Sequence, residues 1–303
     1  MSETDKKPPI TIYYNVPRGP IRGPGVVANN LSLGLVEAGI DTLVYSHVTP
    51  ESLADKSRLL GCLQPVPGMD LLPRDTLMGP NLFVLPKEFP IVSRFDHYLV
   101  PSTWVQDKYR SFSELSHTTL DIWSVGVNTT DWKPNPTVEK SLDCFVYFKN
   151  RSATDLAVVK LLLKRLGLKH AVLRYGEYQE SDLKHLCQIS KFAVLVTGTE
   201  SQGLGYMQIL SMGVPCYVLD KWFWNYEGQI ETKYPGTSVP YFVPGVCGEL
   251  SRIIDKEHLE KFIQSVKEGK YNPRQYILDN HTLKASAERY YDLLLRYQEG
   301  ISK

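Results

Sequence analysis

Phe192-Ala-Val-Leu-Val-Thr-Gly-Thr-Glu-Ser-Gln-Gly-Leu-Gly-Tyr-Met-Gln-Ile-Leu-Ser-Met-Gly-Val-Pro215 is the stretch on which the fold turns. An apolar run of strand length opens it and ends in a short polar loop carrying Thr199 and Glu200. Gly203, Leu204 and Gly205 then open a helix that carries Gln208. Backbone N–H groups at a helix start, with no side chains in the way, make an anion site, and a diphosphate is the expected occupant. Glu200 stands just before that helix, at the carboxyl end of the strand. Gln208 leans its side chain back toward the helix start. Two polar groups therefore converge on one ligand.

Outward from this stretch, short β-rich runs alternate with helical patterns, which predicts parallel α/β sheets. In the first half, strands are expected at Ile10–Tyr14, Thr42–Ser46, Leu82–Leu85 and His97–Val100. Helices are expected after the Gly/Pro loop ending at Gly25 and over Thr103–Arg110; residues 47–76 give no clear pattern. Trp132-Lys-Pro-Asn-Pro-Thr137 is the best linker candidate. A second series follows, with strands at Asp143–Phe148, Ala171–Arg174, Phe192–Thr197 and Pro215–Leu219. Its helices lie over Thr154–Leu166, Glu180–Cys187 and Gly203–Met212, and a Tyr- and Leu-rich helix over Thr282–Tyr297 ends the chain. The expected domains are 1–133, 134–281 and a terminal helix over 282–303. In doubly wound sheets ligands sit at the carboxyl ends of strands, so chemistry is sought in the loops that follow them.

The 303 residues suit two α/β domains. A formal net charge of +1 gives no reason to expect nucleic acid as a partner. The five cysteines are widely spaced with no Cys-x-x-Cys, which points to a reducing, cytoplasmic setting rather than a disulfide framework or zinc site. The polar N-terminus lacks a signal-peptide core, and no apolar run approaches the ~20 residues that span a bilayer. Contact with a membrane would then be peripheral.

The Phe192–Pro215 segment resembles the Glu-x7-Glu signature of retaining GT-B glycosyltransferases of the family 4 type, reading here Glu200-x7-Gln208. Three more segments resemble that family in the right order. Gly23-Pro-Gly-Val-Val-Ala-Asn-Asn-Leu-Ser-Leu-Gly-Leu-Val-Glu-Ala-Gly39 is similar to its first glycine loop and helix. Ile122-Trp-Ser-Val-Gly-Val-Asn-Thr-Thr-Asp-Trp-Lys-Pro134 is similar to its interdomain segment, and Arg174-Tyr-Gly-Glu-Tyr178 to the turn under its nucleotide base.

The resemblance implies a GT-B fold: two Rossmann-like, doubly wound domains facing a central cleft, with a C-terminal helix crossing back to the first. It implies metal-independent sugar transfer from a UDP- or GDP-linked donor to a glycan or glycoconjugate acceptor, with no further cofactor. Glu200 would contact the transferred sugar and Gln208 the ribose. Gly203, Leu204 and Gly205 would line the diphosphate and Gly176 and Tyr178 the base, with Thr199 also on the donor. Lys149 and Arg151 are the candidate cations for the diphosphate, at a spacing that is not the family's. Gly23, Gly25, Asn81 and Glu88 are expected on the acceptor side. Gln208 departs from the family's second Glu and carries no charge, and charge-assisted hydrogen bonds are roughly twice as strong as neutral ones.

The sequence has no Asp-x-Asp, no metal-spaced His/Cys cluster, no Walker loop and no Gly-x-Ser-x-Gly elbow. Ser102 reads as a helix cap, and His47 and His97 as packed or surface residues. The aromatic run Lys221-Trp-Phe-Trp-Asn-Tyr226 reads as packing. Two other functions stay open. A nucleotide-sugar epimerase needs an acid/base pair that no residues here single out. A non-catalytic nucleotide- or glycan-binding protein would suit Gln208 and the irregular basic pair.

Overall fold

The computed structural model describes residues 7–15, 23–81, 93–226 and 229–298. The expected strand Leu82–Leu85, the candidate Glu88 and the loop residues before Gly23 lie outside them. The chain divides into two compact units, Met1–Gly126 with His281–Lys303, and Val127–Asn280.

The first unit holds β1 (Ile10–Tyr13), α1 (Pro24–Glu37), β2 (Thr42–Tyr45), β3 (Leu59–Cys62), β4 (Leu77–Met78), β5 (His97–Val100), α2 (Thr103–Arg110) and β6 (Thr119–Ile122). Its sheet is parallel in the order β2-β1-β3-β4-β5-β6. β1 is buried throughout, as a central strand covered on both faces must be. In α1, Val27, Ala28, Leu31 and Leu35 recur at helical spacing and form the buried stripe. β3 and β4 fall in or beside the stretch that gave no clear pattern, and β6 was not expected.

The second unit holds β7 (Leu142–Lys149), α3 (Ala153–Arg165), β8 (His170–Arg174), α4 (Glu180–Ile189), β9 (Ser190–Thr197), α5 (Leu204–Ser211), β10 (Cys216–Leu219), β11 (Phe223–Tyr226), β12 (Gln229–Pro235), β13 (Gly248–Ser251), α6 (Lys256–Lys267) and α7 (Pro273–Asn280). The parallel order is β13-β10-β9-β7-β8, with β11 and β12 forming a separate antiparallel hairpin. Alternate residues of β7 feed opposite cores. Phe145 and Tyr147 pack with α4, α5 and α7, whereas Cys144 and Val146 pack with α3 and α6. The sheet is doubly wound.

Val127–Lys133 clusters with the second unit rather than closing the first. Val127 and Trp132 are buried in its core, and Arg274 Nη1 donates to Trp132 O at 3.0 Å and Ser211 O at 2.6 Å. The chain then returns to the first unit as α8 (Leu283–Gln298). Tyr290, Leu294 and Ala287 of α8 are fully buried, and Trp123 Nε1 donates to Ser286 O at 2.9 Å. Gly34 lets α1 approach α8: a Cβ there would stand 2.3 Å from Leu283 O.

His281 opens this return, buried, with Nδ1 3.4 Å from Ser124 Oγ. Burial first, and Arg289 second, depress its pKa from 6.5 to about 4. The unfolded chain therefore binds the extra proton at a higher pH than the folded one. We predict that stability contributed by neutral His281 is intact above pH 6.5 and falls by about 2 kcal/mol by about pH 5. Urea unfolding of wild type and His281→Gln at both pH values checks this. Equal pH dependence of the two proteins would refute it.

Candidate functional site

The order of addition reverses at β7, which has β8 on one side and β9 on the other. Such a switch point leaves a crevice at the carboxyl ends of the two central strands. Lys149 ends β7, and the Gly198–Gly203 loop follows β9.

Lys149 shares the strand face of Phe145 and Tyr147, the face that α5 covers. Its Nζ lies 2.9 Å from both Glu200 carboxylate oxygens. The two side chains are 18% and 12% exposed, so the ion pair borders solvent without standing in it. Lys149 Nζ also sits 4.3 Å from the centroid of the Tyr175 ring, within cation–π range. The backbone holds Glu200 in place: its N–H donates to Thr237 O at 2.9 Å. Thr237 is fixed in turn by Asp220, whose Oδ1 accepts from Thr237 Oγ1 at 2.9 Å and from Ser238 N at 2.8 Å.

Arg151 goes elsewhere. Asn150 adopts φ 52, a left-handed conformation that Asn tolerates, and this turns the chain toward α3. The Arg151 guanidinium meets Asp155 at 2.8 Å and donates to Thr197 O at 3.2 Å and Leu219 O at 3.0 Å. Its side chain is only 6% exposed. Burial works against the Asp155 carboxylate, but the Arg151 hydrogen bond and charge outweigh it and hold its pKa below the usual value. Arg151 braces the ends of β9 and β10, so Lys149 alone of the expected basic pair points at Glu200.

Gly203 caps α5 in the left-handed conformation at φ 79. Beneath the helix start lies Tyr147, whose hydroxyl would be 2.9 Å from a Cβ on Gly205. Tyr147 and Tyr178 hydroxyls are 3.2 Å apart, tying the β8–α4 loop to this spot. Burial first, and then the neighbouring Tyr178 and Glu200, push the Tyr147 pKa well up. Gly176, at φ 88, has open space where its Cβ would stand. Thr199 is buried, and Leu204 is half-buried at the first position of α5. Gln208 is half-buried, and its side-chain amide bonds no described residue. Tyr147, Tyr175 and the Asp220–Thr237–Ser238 network were not anticipated. Period-two reading of β7 would have placed Tyr147 and Lys149 on one face.

In the first unit, Asn81 Nδ2 donates to Pro24 O at 3.2 Å, so Asn81, Gly23 and Gly25 meet at the start of α1. Ser102 does not cap α2 with its side chain: its hydroxyl is buried and has no hydrogen-bond partner among the described residues. His47 Nδ1 meets Ser46 Oγ at 2.9 Å. His97 stands at the amino end of β5, stacked on Tyr297 at 3.7 Å and away from the strand's carboxyl end. The aromatic run becomes β11, with Trp224 buried and Trp222 49% exposed. No helix among the described residues is long and apolar enough to cross a membrane.

No family model matches the chain, and no curated protein sequence matches it. Solved structures do. AviGT4, a glycosyltransferase involved in avilamycin A biosynthesis, is similar with a TM-score of 0.58 at 13% identity, covering 97% of this chain and 99% of its own. Sucrose-phosphate synthase from Thermosynechococcus elongatus gives 0.57 at 12% identity, covering 97% and 100%. The lipopolysaccharide outer core galactosyltransferase WaaB in its apo form gives 0.55 at 11% identity, covering 94% and 99%. The chain has the GT-B fold. Both parallel sheets of that GT-B fold are present, six-stranded in the first unit and five-stranded in the second. At these identities the likeness speaks for fold, and the site must speak for chemistry.

Proposed function

We propose that this chain is a glycosyltransferase that takes a sugar from a nucleoside-diphosphate donor. The observation that carries this reading is the Lys149–Glu200 pair, held at the sheet's switch point beside the Gly203–Gly205 start of α5. The donor diphosphate binds the amides of that helix start and the Lys149 ammonium. Thr199 and Leu204 line it. The base lies against Gly176 and Tyr178, and Gln208 hydrogen-bonds the ribose. Glu200 faces the sugar, where positive charge builds at the anomeric carbon in an oxocarbenium-like transition state. Lys149 and the amides receive the negative charge left on the departing diphosphate, which is stabilisation aimed at charge that develops during reaction.

Transfer is proposed to retain anomeric configuration and to need no metal. The acceptor is a glycan or glycoconjugate hydroxyl, assigned to Gly23, Gly25 and Asn81, with Glu88 in the same role. The five free, buried cysteines support a reducing, cytoplasmic setting.

A thermal-shift screen against UDP- and GDP-sugars tests the donor class. A true donor at a hundred times its dissociation constant adds about 2.7 kcal/mol of stability. Turnover with and without acceptor, in the presence of EDTA, then tests the reaction, and product NMR tests retention. A screen in which no donor stabilises the chain would end this reading. For Lys149→Met we expect diphosphate affinity to fall about tenfold to a hundredfold, the worth of a hydrogen bond to a charged group. Titration calorimetry with UDP and GDP measures it.

A further inference from the structure

The ammonium assigned above to the diphosphate is already occupied by the carboxylate assigned to the sugar. Lys149 Nζ is 2.9 Å from each Glu200 oxygen, and the Tyr175 ring covers another side at 4.3 Å. An ammonium has three donors, and the carboxylate takes up the side of Lys149 that faces the loop after β9. At 18% and 12% exposure the pair is shielded enough for its attraction to matter, yet open enough to be reached.

A diphosphate seated on the start of α5 brings more than one negative charge to the same neighbourhood. It competes with Glu200 for Lys149 and repels the carboxylate, as like charges do at close range. Glu200 is anchored through its backbone N–H to Thr237 O, so the position of the loop does not depend on where the carboxylate is bonded.

We propose that Lys149 and Glu200 form a specificity lock: the donor's diphosphate exchanges for the carboxylate on the Lys149 ammonium and thereby frees Glu200 for the sugar. This rests on the reading of the site as a nucleotide-sugar pocket, and it adds that the substrate's charge, not its sugar, opens the carboxylate. An uncharged sugar brings nothing to exchange and leaves the lock closed. The pair therefore selects for donors carrying a diphosphate next to the sugar.

The test is a binding cycle on the full chain, using titration calorimetry with UDP and GDP. Four proteins are compared: wild type, Glu200→Gln, Lys149→Met and the double variant. Removing the carboxylate relieves simple repulsion in either background, but it removes a competitor only when Lys149 is present. The lock predicts that Glu200→Gln tightens nucleotide binding, and that the gain with Lys149 present exceeds the gain in the Lys149→Met background by about fivefold or more. Equal gains in the two backgrounds, or weaker binding by Glu200→Gln, would overturn the lock while leaving the nucleotide site standing. Absence of UDP and GDP binding in all four proteins, each folded by circular dichroism, would overturn the site and the lock together.

Discussion

Glu200→Gln is expected to lower the rate of sugar transfer by about a hundred- to a thousandfold, the usual cost of deleting one charge-stabilising group from a reacting centre. The substitution keeps the shape of the side chain and its backbone hydrogen bond to Thr237 O. It removes only the negative charge that the proposed mechanism sets against the sugar as positive charge grows there. The charge pairing with Lys149 is lost, and at 18% and 12% exposure that pair is mostly buried, so the ammonium is left without its counter-charge at some cost to stability. The Gln amide oxygen still accepts from Lys149, so the loss of stability should stay below the ~3–5 kcal/mol of a buried pair broken outright, and a melting curve recorded alongside measures it. Single-turnover kinetics with saturating donor separates the chemical step from binding. A transfer rate within tenfold of wild type would remove Glu200 from the mechanism, whatever happens to affinity. The same variant is expected to bind UDP or GDP more tightly, so loss of turnover and gain of binding should appear together.

What the sequence made legible was the local part of this site. Gly198–Gly205 announces itself because a buried strand, a polar loop and a glycine-flanked helix start are contiguous, and each follows from short-range rules. Lys149 was legible as a basic residue after a strand, but its direction depends on alternation along β7, which links it to Phe145 and Tyr147. Arg151 turns away from Lys149 for a local reason that composition hides: Asn150 in the left-handed region sends the chain toward Asp155.

Other features depend on distant partners. β3 and β4 span four residues and two, too short for any period to show, and they become strands because β1 and β5 offer them ladders. The Asp220 network joins residues 17 and 18 positions apart, across the β11–β12 hairpin. Ser102 has the residue type and the extended backbone of a cap, yet its hydroxyl is buried and meets no partner among the described residues, a tertiary outcome no propensity encodes. The end of the first unit was set by Trp132, whose burial against the second core draws the preceding residues with it.

The helix start proposed to grip the diphosphate also makes Gly203 hard to replace. Gly203 stands at φ 79, and a Cβ there would lie 2.0 Å from Tyr206 Cε1. Tyr206 cannot easily give way: its ring is 3% exposed, and its hydroxyl accepts the Tyr241 N–H at 2.9 Å. Two costs therefore add for Gly203→Ala. The left-handed backbone costs an L-residue about 1–2 kcal/mol, and crowding a packed core costs about 1–3 kcal/mol more. A loss of about 3 kcal/mol lowers the melting temperature by roughly 6–12 °C in a unit of this size. Gly176→Ala is the matched comparison, because Gly176 stands at φ 88 with nothing within 4 Å of its Cβ position. Only the backbone cost applies there, about 1–2 kcal/mol. Relief of the Gly203→Ala clash must shift Tyr206 or tilt the first turn of α5, and either movement turns the amides away from the diphosphate. Below the melting transition, UDP or GDP affinity of Gly203→Ala should fall at least about tenfold, the loss of one or two well-aimed hydrogen bonds to a charged group. Equal melting shifts for the two alanines would show that the Tyr206 contact relaxes without cost. Unchanged nucleotide affinity in a destabilised Gly203→Ala would show that the anion is held by something other than the start of α5.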